Sequence, residues 1–211
     1  MAEVTSHARS GGSAPAELWS FRVDVAVEYD RPARSVLVRG PWGDQELPEP
    51  GPVVREVLRR MELGPISLQN ALGRPGEAGA ASPADRARVA AVLERLQDVV
   101  VRSPTVPDTG QPMLSVVPTA PAAALRLGAP ATGGRVQLVG RTSLRRADGE
   151  LLLEAPGLSY QVVLHRAEAL ELVRVLRRPI RPESARCCAG GGPALVYLLA
   201  AGLVVPVTEG C

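Results

Sequence analysis

The chain reads as an α+β protein built from two tandem winged-helix modules, each a three-stranded antiparallel sheet with a helical bundle. Three observations predict this. A pattern of polar hairpin, strand broken by a proline, second strand and short amphipathic helix ending in Leu-Arg-Arg occurs twice, first as SVLVRGPWGDQELPEPGPVVREVLRRMELGP and then as ELLLEAPGLSYQVVLHRAEALELVRVLRRPIRP. A repeat of this length points to duplicated units. The helix-start signal Ser82-Pro83-Ala84-Asp85 follows the first copy, and two β-prone segments that can pair as a wing follow that.

The elements are justified in chain order. Residues 1–17 lack a hydrophobic segment and read as a disordered tail, neither signal peptide nor anchor, so the protein is expected to be cytoplasmic. Module one is assigned to 18–117. Phe21, Val23, Val25, Val27 and Tyr29 alternate with polar or small residues, which predicts one half-buried strand. Arg31-Pro32-Ala33-Arg34 makes a turn, Ser35 to Arg39 returns, and Trp42 to Leu47 follows Pro41 as the third strand. Val53, Val54, Val57, Leu58 and Met61 recur at helical spacing, as do Val89, Val92, Leu93 and Leu96 in the helix from Ser82 to about Gln97. Val99–Arg102 and Met113–Val117 form the wing.

Residues 118–134, rich in Pro, Ala and Gly, read as a linker. Module two, 135–211, restarts the pattern. Val136 to Arg146 and Glu150 to Glu154 flank the turn dipeptide Asp148-Gly149, and Tyr160 to Leu164 supplies the third strand. Ala169, Leu170, Leu172, Val173 and Leu176 line a helix, the middle helix is degraded in 182–192, and Pro193 to Ala201 precedes a last strand. The second module is thus expected to be the shorter. Pro41 lies 115 positions before Pro156 and Leu58 lies 118 before Leu176, which puts a small insertion between strand and helix.

Composition excludes several functions. All 24 basic residues are arginine, so Schiff-base, Walker-type and kinase lysines are ruled out; the bias itself fits a GC-rich, actinobacterial-type genome. Residues 1–127 carry 14 Arg against 15 acids and residues 128–211 carry 10 against 7, and neither balance is the basic footprint of a nucleic-acid binder. Cys187 and Cys188 are adjacent and Cys211 is the last residue, a poor basis for disulfides. With His7 and His165 as the whole histidine complement, no metal site is expected. His165 reads as a capping or surface residue. The apolar run Ala194 to Val205 is too short to span a bilayer.

A winged helix serves two common uses. In the first, a helix reads DNA, but Arg86, Arg88 and Arg95 are balanced here by Asp85, Glu94 and Asp98. A DNA-binding regulator is therefore the alternative reading. In the second, an extended peptide adds to an open sheet edge and drops side chains against a neighbouring helix. The third strand of each meander is the expected edge. Candidate peptide-binding residues are Trp42, Glu46, Leu47, Val89 and Leu93 in module one, and Tyr160, Val162, Leu195, Tyr197 and Leu198 in module two. The apolar members also read as ordinary core. Trp42, between Pro41 and Gly43, is expected to be exposed by its turn. Arg145-Arg146 and Arg177-Arg178 read as solvated surface or a patch for an acidic peptide, and the glycine run 190–192 reads as a connector.

LVRGPWGDQELP, GQPMLSVVPTAPAA, LLLEAPGLSYQVVLHRAEALELV and LLAAGLVV resemble the N-terminal half of flavin-dependent azoline dehydrogenases from microcin, thiopeptide and cyanobactin pathways, across residues 18–207. The resemblance implies two winged-helix peptide-clamp modules, similar to recognition elements of ribosomal peptide pathways and to the small chaperone of pyrroloquinoline quinone biosynthesis. In that family they precede a nitroreductase-like flavin domain with a catalytic Lys-Tyr pair, and this chain stops where that domain is expected to begin. The resemblance therefore implies a non-catalytic subunit with no cofactor of its own. Its expected partners are the precursor's leader peptide and a separate dehydrogenase carrying FMN, with a cyclodehydratase as a further candidate, in a hetero-oligomer without nucleic acid or membrane.

Overall fold

Where one alternating run predicts a single strand, the chain forms two. In the computed structural model, which describes residues 17–30, 34–106, 108–128, 133–187 and 189–207, β1 (Glu17–Phe21) ends in a turn at 22–25 and β2 (Ala26–Asp30) enters a different sheet. The Arg22 guanidinium bonds Asp24 at 2.7 Å, Val25 N–H donates to Arg22 O, and Val23 is fully exposed. Alternation scores Phe21 and Val27 alike. It cannot see that they serve separate sheets.

β3 (Ser35–Gly40), β4 (Gly43–Pro48) and α1 (Gly51–Leu63) follow as expected. Val36, Val38 and Leu47 face inward onto Val54, Val57, Leu58 and Met61 of α1. β5 (Ile66–Ser67) and the single turn α2 (Leu68–Leu72) lead to α3 (Pro83–Arg95). The start of α3 is the one the sequence signals: Ser82 Oγ accepts from Asp85 N–H at 3.1 Å, and Pro83 occupies the first turn. β6 (Val100–Pro104) and β7 (Leu114–Pro118) pair antiparallel at Arg102↔Val116, where the wing is expected.

The second unit repeats this order. β8 (Arg135–Leu138) and β9 (Ser143–Ala147) replace the expected continuous strand from Val136 to Arg146, broken by a turn in which Thr142 N–H donates to Val139 O. β10 (Glu150–Glu154), β11 (Tyr160–Leu164) and α4 (Ala167–Val175) follow. A 3-10 run, Pro182–Cys187, stands in for the middle helix, and α5 (Gly191–Ala200) precedes β12 (Val204–Val207). β1 pairs with β6, and β8 likewise pairs with β12, so the duplication begins one strand earlier than the sequence pattern suggests. Apart from the two-residue β5, β7 is the one strand without a counterpart among the described residues.

The protein is α+β with all strand pairs antiparallel. A three-stranded sheet runs β2-β3-β4, a two-stranded one β12-β8, and a seven-stranded one β5-β1-β6-β7-β11-β10-β9. The last crosses both repeats. The extra residues of the second copy lie in the hairpin turn, and the offset of 117 from Leu47 to Leu164 falls back to 115 in the helices, so the copy is two residues shorter between strand and helix. Two residues join β3 to β4 and five join β10 to β11, whereas the buried set of α1 and that of α4 (Ala169, Leu172, Val173, Leu176) match at a constant 115 positions. Part of the expected linker is packed, since Ala123 and Leu125 are buried in the second core.

One half-buried cluster joins the units. Arg102 on β6 bonds Glu17 on β1 at 2.6 Å, stacks over Trp19 at 4.4 Å and Tyr197 at 5.8 Å, and donates to Leu125 O. Tyr197 OH, from α5, donates to the same Glu17 carboxylate. Burial, reinforced by that carboxylate, drives the Tyr197 phenol well above its usual range, so it stays a donor. Glu17 thus belongs to the fold and not to the tail. The expectations for residues 1–16 with His7, for Arg31 to Ala33, for Cys188 and Cys211, and for residues 129–132 lie outside the described residues.

Candidate peptide-binding edge

Among the described residues β4 is paired on one side only. Its partner is β3, in a register running from Gly40↔Gly43 to Ser35↔Pro48. The two-residue turn Pro41-Trp42 is closed by a pair of glycines, one of which sits at φ 119°. The other is required by space, because a Cβ on Gly40 would come within 2.8 Å of Val99 Cγ1. Bonded pairs alternate outward from such a closing pair, so Gly43, Gln45 and Leu47 bond β3 while the backbone groups of Asp44 and Glu46 face away from the sheet. Pro48 continues that outward set without an N–H, as is usual on edge strands.

α3 packs on α1, and two contacts place it near the ends of β4. Near its start the Arg88 guanidinium lies 3.6 Å from where a Gly51 Cβ would stand, and beyond its end Asp98 accepts from the Gln45 amide at 3.1 Å. Val89, Leu93 and Leu96 turn inward. The adjacent stripe at 88, 92 and 95 shares one flank of α3 by helical spacing, the flank on which Arg88 reaches toward Gly51 just after β4. Val92 is half-buried between exposed Arg88 and Arg95, so the slot has an apolar floor and cationic ends. Asp44 and Glu46 are exposed on the opposite, solvent face of the sheet.

Of the expected site residues, Glu46 alone is exposed beside the edge. Leu47, Val89 and Leu93 are buried together in the first core. Trp42 is half-buried against the first core, and the Arg22 guanidinium, which also donates to Pro118 O, covers its ring at 4.8 Å, so it does not project from its turn. In the second repeat the expected edge is closed: β11 pairs with β10 on one side and β7 on the other. Tyr160, Val162, Leu195, Tyr197 and Leu198 are all buried in the second core. Burial lifts the Tyr160 phenol to about 12, and its hydroxyl has no hydrogen-bond partner among the described residues. At the second repeat's end of that sheet the terminal strand is β9, the first strand of the meander, which carries Arg145 and Arg146. Asp44, Arg88, Val92 and Arg95 were missed by sequence reasoning. The flank of a helix beside its apolar stripe was the signal available.

A cleft of about 650 Å³ opens on the seven-stranded sheet, lined by Ser115, Val163, Glu150, His165 and the 22–25 turn. His165 Nε2 lies 2.7 Å from Ser115 Oγ, which lies 2.7 Å from Ser103 Oγ. The two serines are buried on neighbouring strands, and the chain satisfies both hydroxyls. Partial burial holds the His165 pKa below its ordinary value, opposed by Glu150, so the fold prefers the neutral ring. A depressed histidine contributes stability above its unfolded pKa of about 6.5 that is lost as the pH falls through the folded value. Denaturant midpoints of the native chain should therefore decline as pH drops below about 6.5. In His165→Gln, which keeps an amide for Ser115, that decline should flatten.

Among the described residues no group of three or more His, Cys, Asp or Glu could hold a metal ion, and no helix is long and apolar enough to cross a membrane. No protein-family model matches the chain, and no curated protein matches it in sequence.

Proposed function

We propose that this chain is a non-catalytic peptide-recognition and scaffold subunit of a split azoline dehydrogenase in ribosomal peptide biosynthesis. Each repeat then counts as a winged-helix peptide clamp, the precursor's leader adds to β4, and a separate flavoprotein carries the FMN. The observation that carries this reading is an antiparallel edge unpaired among the described residues, with the segment that ends α3 bonded to it through Asp98 and Gln45. Backbone bonds to such an edge contribute about 1 kcal/mol each, and the slot at Arg88, Val92 and Arg95 adds side-chain selection.

The DNA-binding alternative needs a basic face on α3. Arg86 is turned inward to the carbonyls of Leu72 and Gly73, Arg88 is 3.5 Å from Asp85, and Glu94 is exposed. The cations left exposed on α3 are Arg88 and Arg95, with Glu94 beside Arg95, which is not the basic face that phosphate binding needs. The test is co-expression with the flavin-dependent dehydrogenase of the same pathway. A stable complex showing flavin absorbance, together with a leader peptide that binds the purified chain, is the expected result. Failure of both, or binding to duplex DNA that weakens steeply with salt, would overturn the reading.

A further inference from the structure

β7 sits on the strand that corresponds to β4. The register Val36↔Leu47 of the first hairpin reappears as Leu151↔Leu164 in the second, and Val38↔Gln45 as Leu153↔Val162, so β11 matches β4 residue by residue. On β11 the outward backbone groups are all in use. Thr119 N–H donates to Ser159 O at 2.8 Å and His165 N–H to Met113 O at 3.1 Å, with Gln161 and Val163 paired between them. The outward groups of β4, at Asp44 and Glu46, correspond to Gln161 and Val163. Leu114 and Val116 of β7 drop into the second core, which α5 also helps to form.

We propose that β7 is a built-in ligand: it permanently closes the peptide edge of the second repeat, leaves β4 as one peptide edge per chain, and displays the register in which an extended peptide lies there. This rests on the peptide-recognition reading above and adds the site, the register and the chemistry of the peptide. Transferred to β4, the residue in the place of Leu114 stands opposite Leu47 and that of Val116 opposite Gln45, both turned toward the slot at Arg88, Val92 and Arg95. Apolar side chains belong there. The residues in the places of Ser115 and Val117 stand opposite Glu46 and Asp44, on the solvent face, where cross-strand carboxylates favour cations. Pro48 withholds the bond that His165 N–H makes. The ligand is thus an extended segment with apolar residues at alternate positions and basic residues between them.

The probe is a fluorescein-labelled peptide, Gly-Thr-Leu-Lys-Val-Lys-Pro-Thr, titrated against the full chain by anisotropy. Saturable binding of one peptide per chain is expected, weakened about tenfold or more in Glu46→Pro, which removes an outward N–H from an edge strand that tolerates proline. Thermal unfolding of Glu46→Pro should match that of the parent. A peptide with glutamate in place of both lysines should bind about tenfold less tightly. Two peptides per chain, or binding indifferent to Glu46→Pro, would sink the built-in-ligand proposal while leaving peptide recognition standing. A dimer that Glu46→Pro converts to monomer would overturn it too, because a second copy would then own the edge. Failure of this peptide alone, with a leader peptide still bound, refutes the register and chemistry; failure of both removes the recognition reading as well.

Discussion

Arg102→Leu is expected to destabilise the fold by about 3–5 kcal/mol, the range for breaking a buried ion pair from one side. The guanidinium and the Glu17 carboxylate are 18% and 17% exposed, so solvent screens the orphaned charge poorly. Three further losses accompany it: the stacks over Trp19 and Tyr197 and the bond to Leu125 O. Against a total stability of about 5–15 kcal/mol for a domain, this is a large fraction. Urea denaturation followed by tryptophan fluorescence measures it, since Trp19 reports directly on the cluster. The double variant with Glu17→Leu should recover part of the loss, because it removes the stranded carboxylate. A loss below about 1 kcal/mol in the single variant would mean that the pair behaves as an ordinary surface bridge.

This cluster marks where sequence reasoning stopped. Local signals survived: the Ser82 cap, the three-strand meanders and the amphipathic stripes of α1 and α4 lie where spacing puts them. The signals that failed all required distant partners. Leu164 pairs with Leu114, 50 residues earlier, and nothing in Tyr160 to Leu164 says that its second edge is filled. The strands flanking the turns at 22–25 and 139–142 were merged for one reason, that a period of two persists across a turn which sends its halves into different sheets. The same misreading in both copies is itself a mark of the duplication. Trp42 failed differently: its turn would expose it, but Arg22 reaches over from the neighbouring segment to cover the ring.

The candidate site was half legible. The expectation of a third strand beside a helix points to β4 and α3, yet the residues it names are mostly apolar, and the apolar ones on β4 and α3, Leu47, Val89 and Leu93, point into the core. The groups left for a ligand are the outward backbone of Asp44 and Glu46 and the half-apolar flank at Arg88, Val92 and Arg95. Neither stands out in composition. The second repeat gives the key to the first, because it already holds a strand in that place.

Leu198→Ala separates these roles. Leu198 is fully buried on α5 in the second core, so its truncation should lower stability by about 2–5 kcal/mol. Both tryptophans lie in the first repeat, Trp19 on β1 and Trp42 in the β3–β4 turn. If the repeats unfolded independently, a change in the second core would leave the tryptophan transition where it was. The seven-stranded sheet argues otherwise, since β7 brings Leu114 and Val116 into the second core while pairing with β6 of the first repeat, and Arg102 and Tyr197 share one carboxylate. The tryptophan midpoint and the far-ultraviolet circular dichroism midpoint should therefore fall together in this variant. Binding of the probe peptide at β4, measured well below the new midpoint, should be unchanged, because Leu198 packs in the repeat whose edge β7 has already taken. A tryptophan transition that stays in place would divide the chain into two folding units, and a weakened peptide affinity would return the second repeat to the binding site.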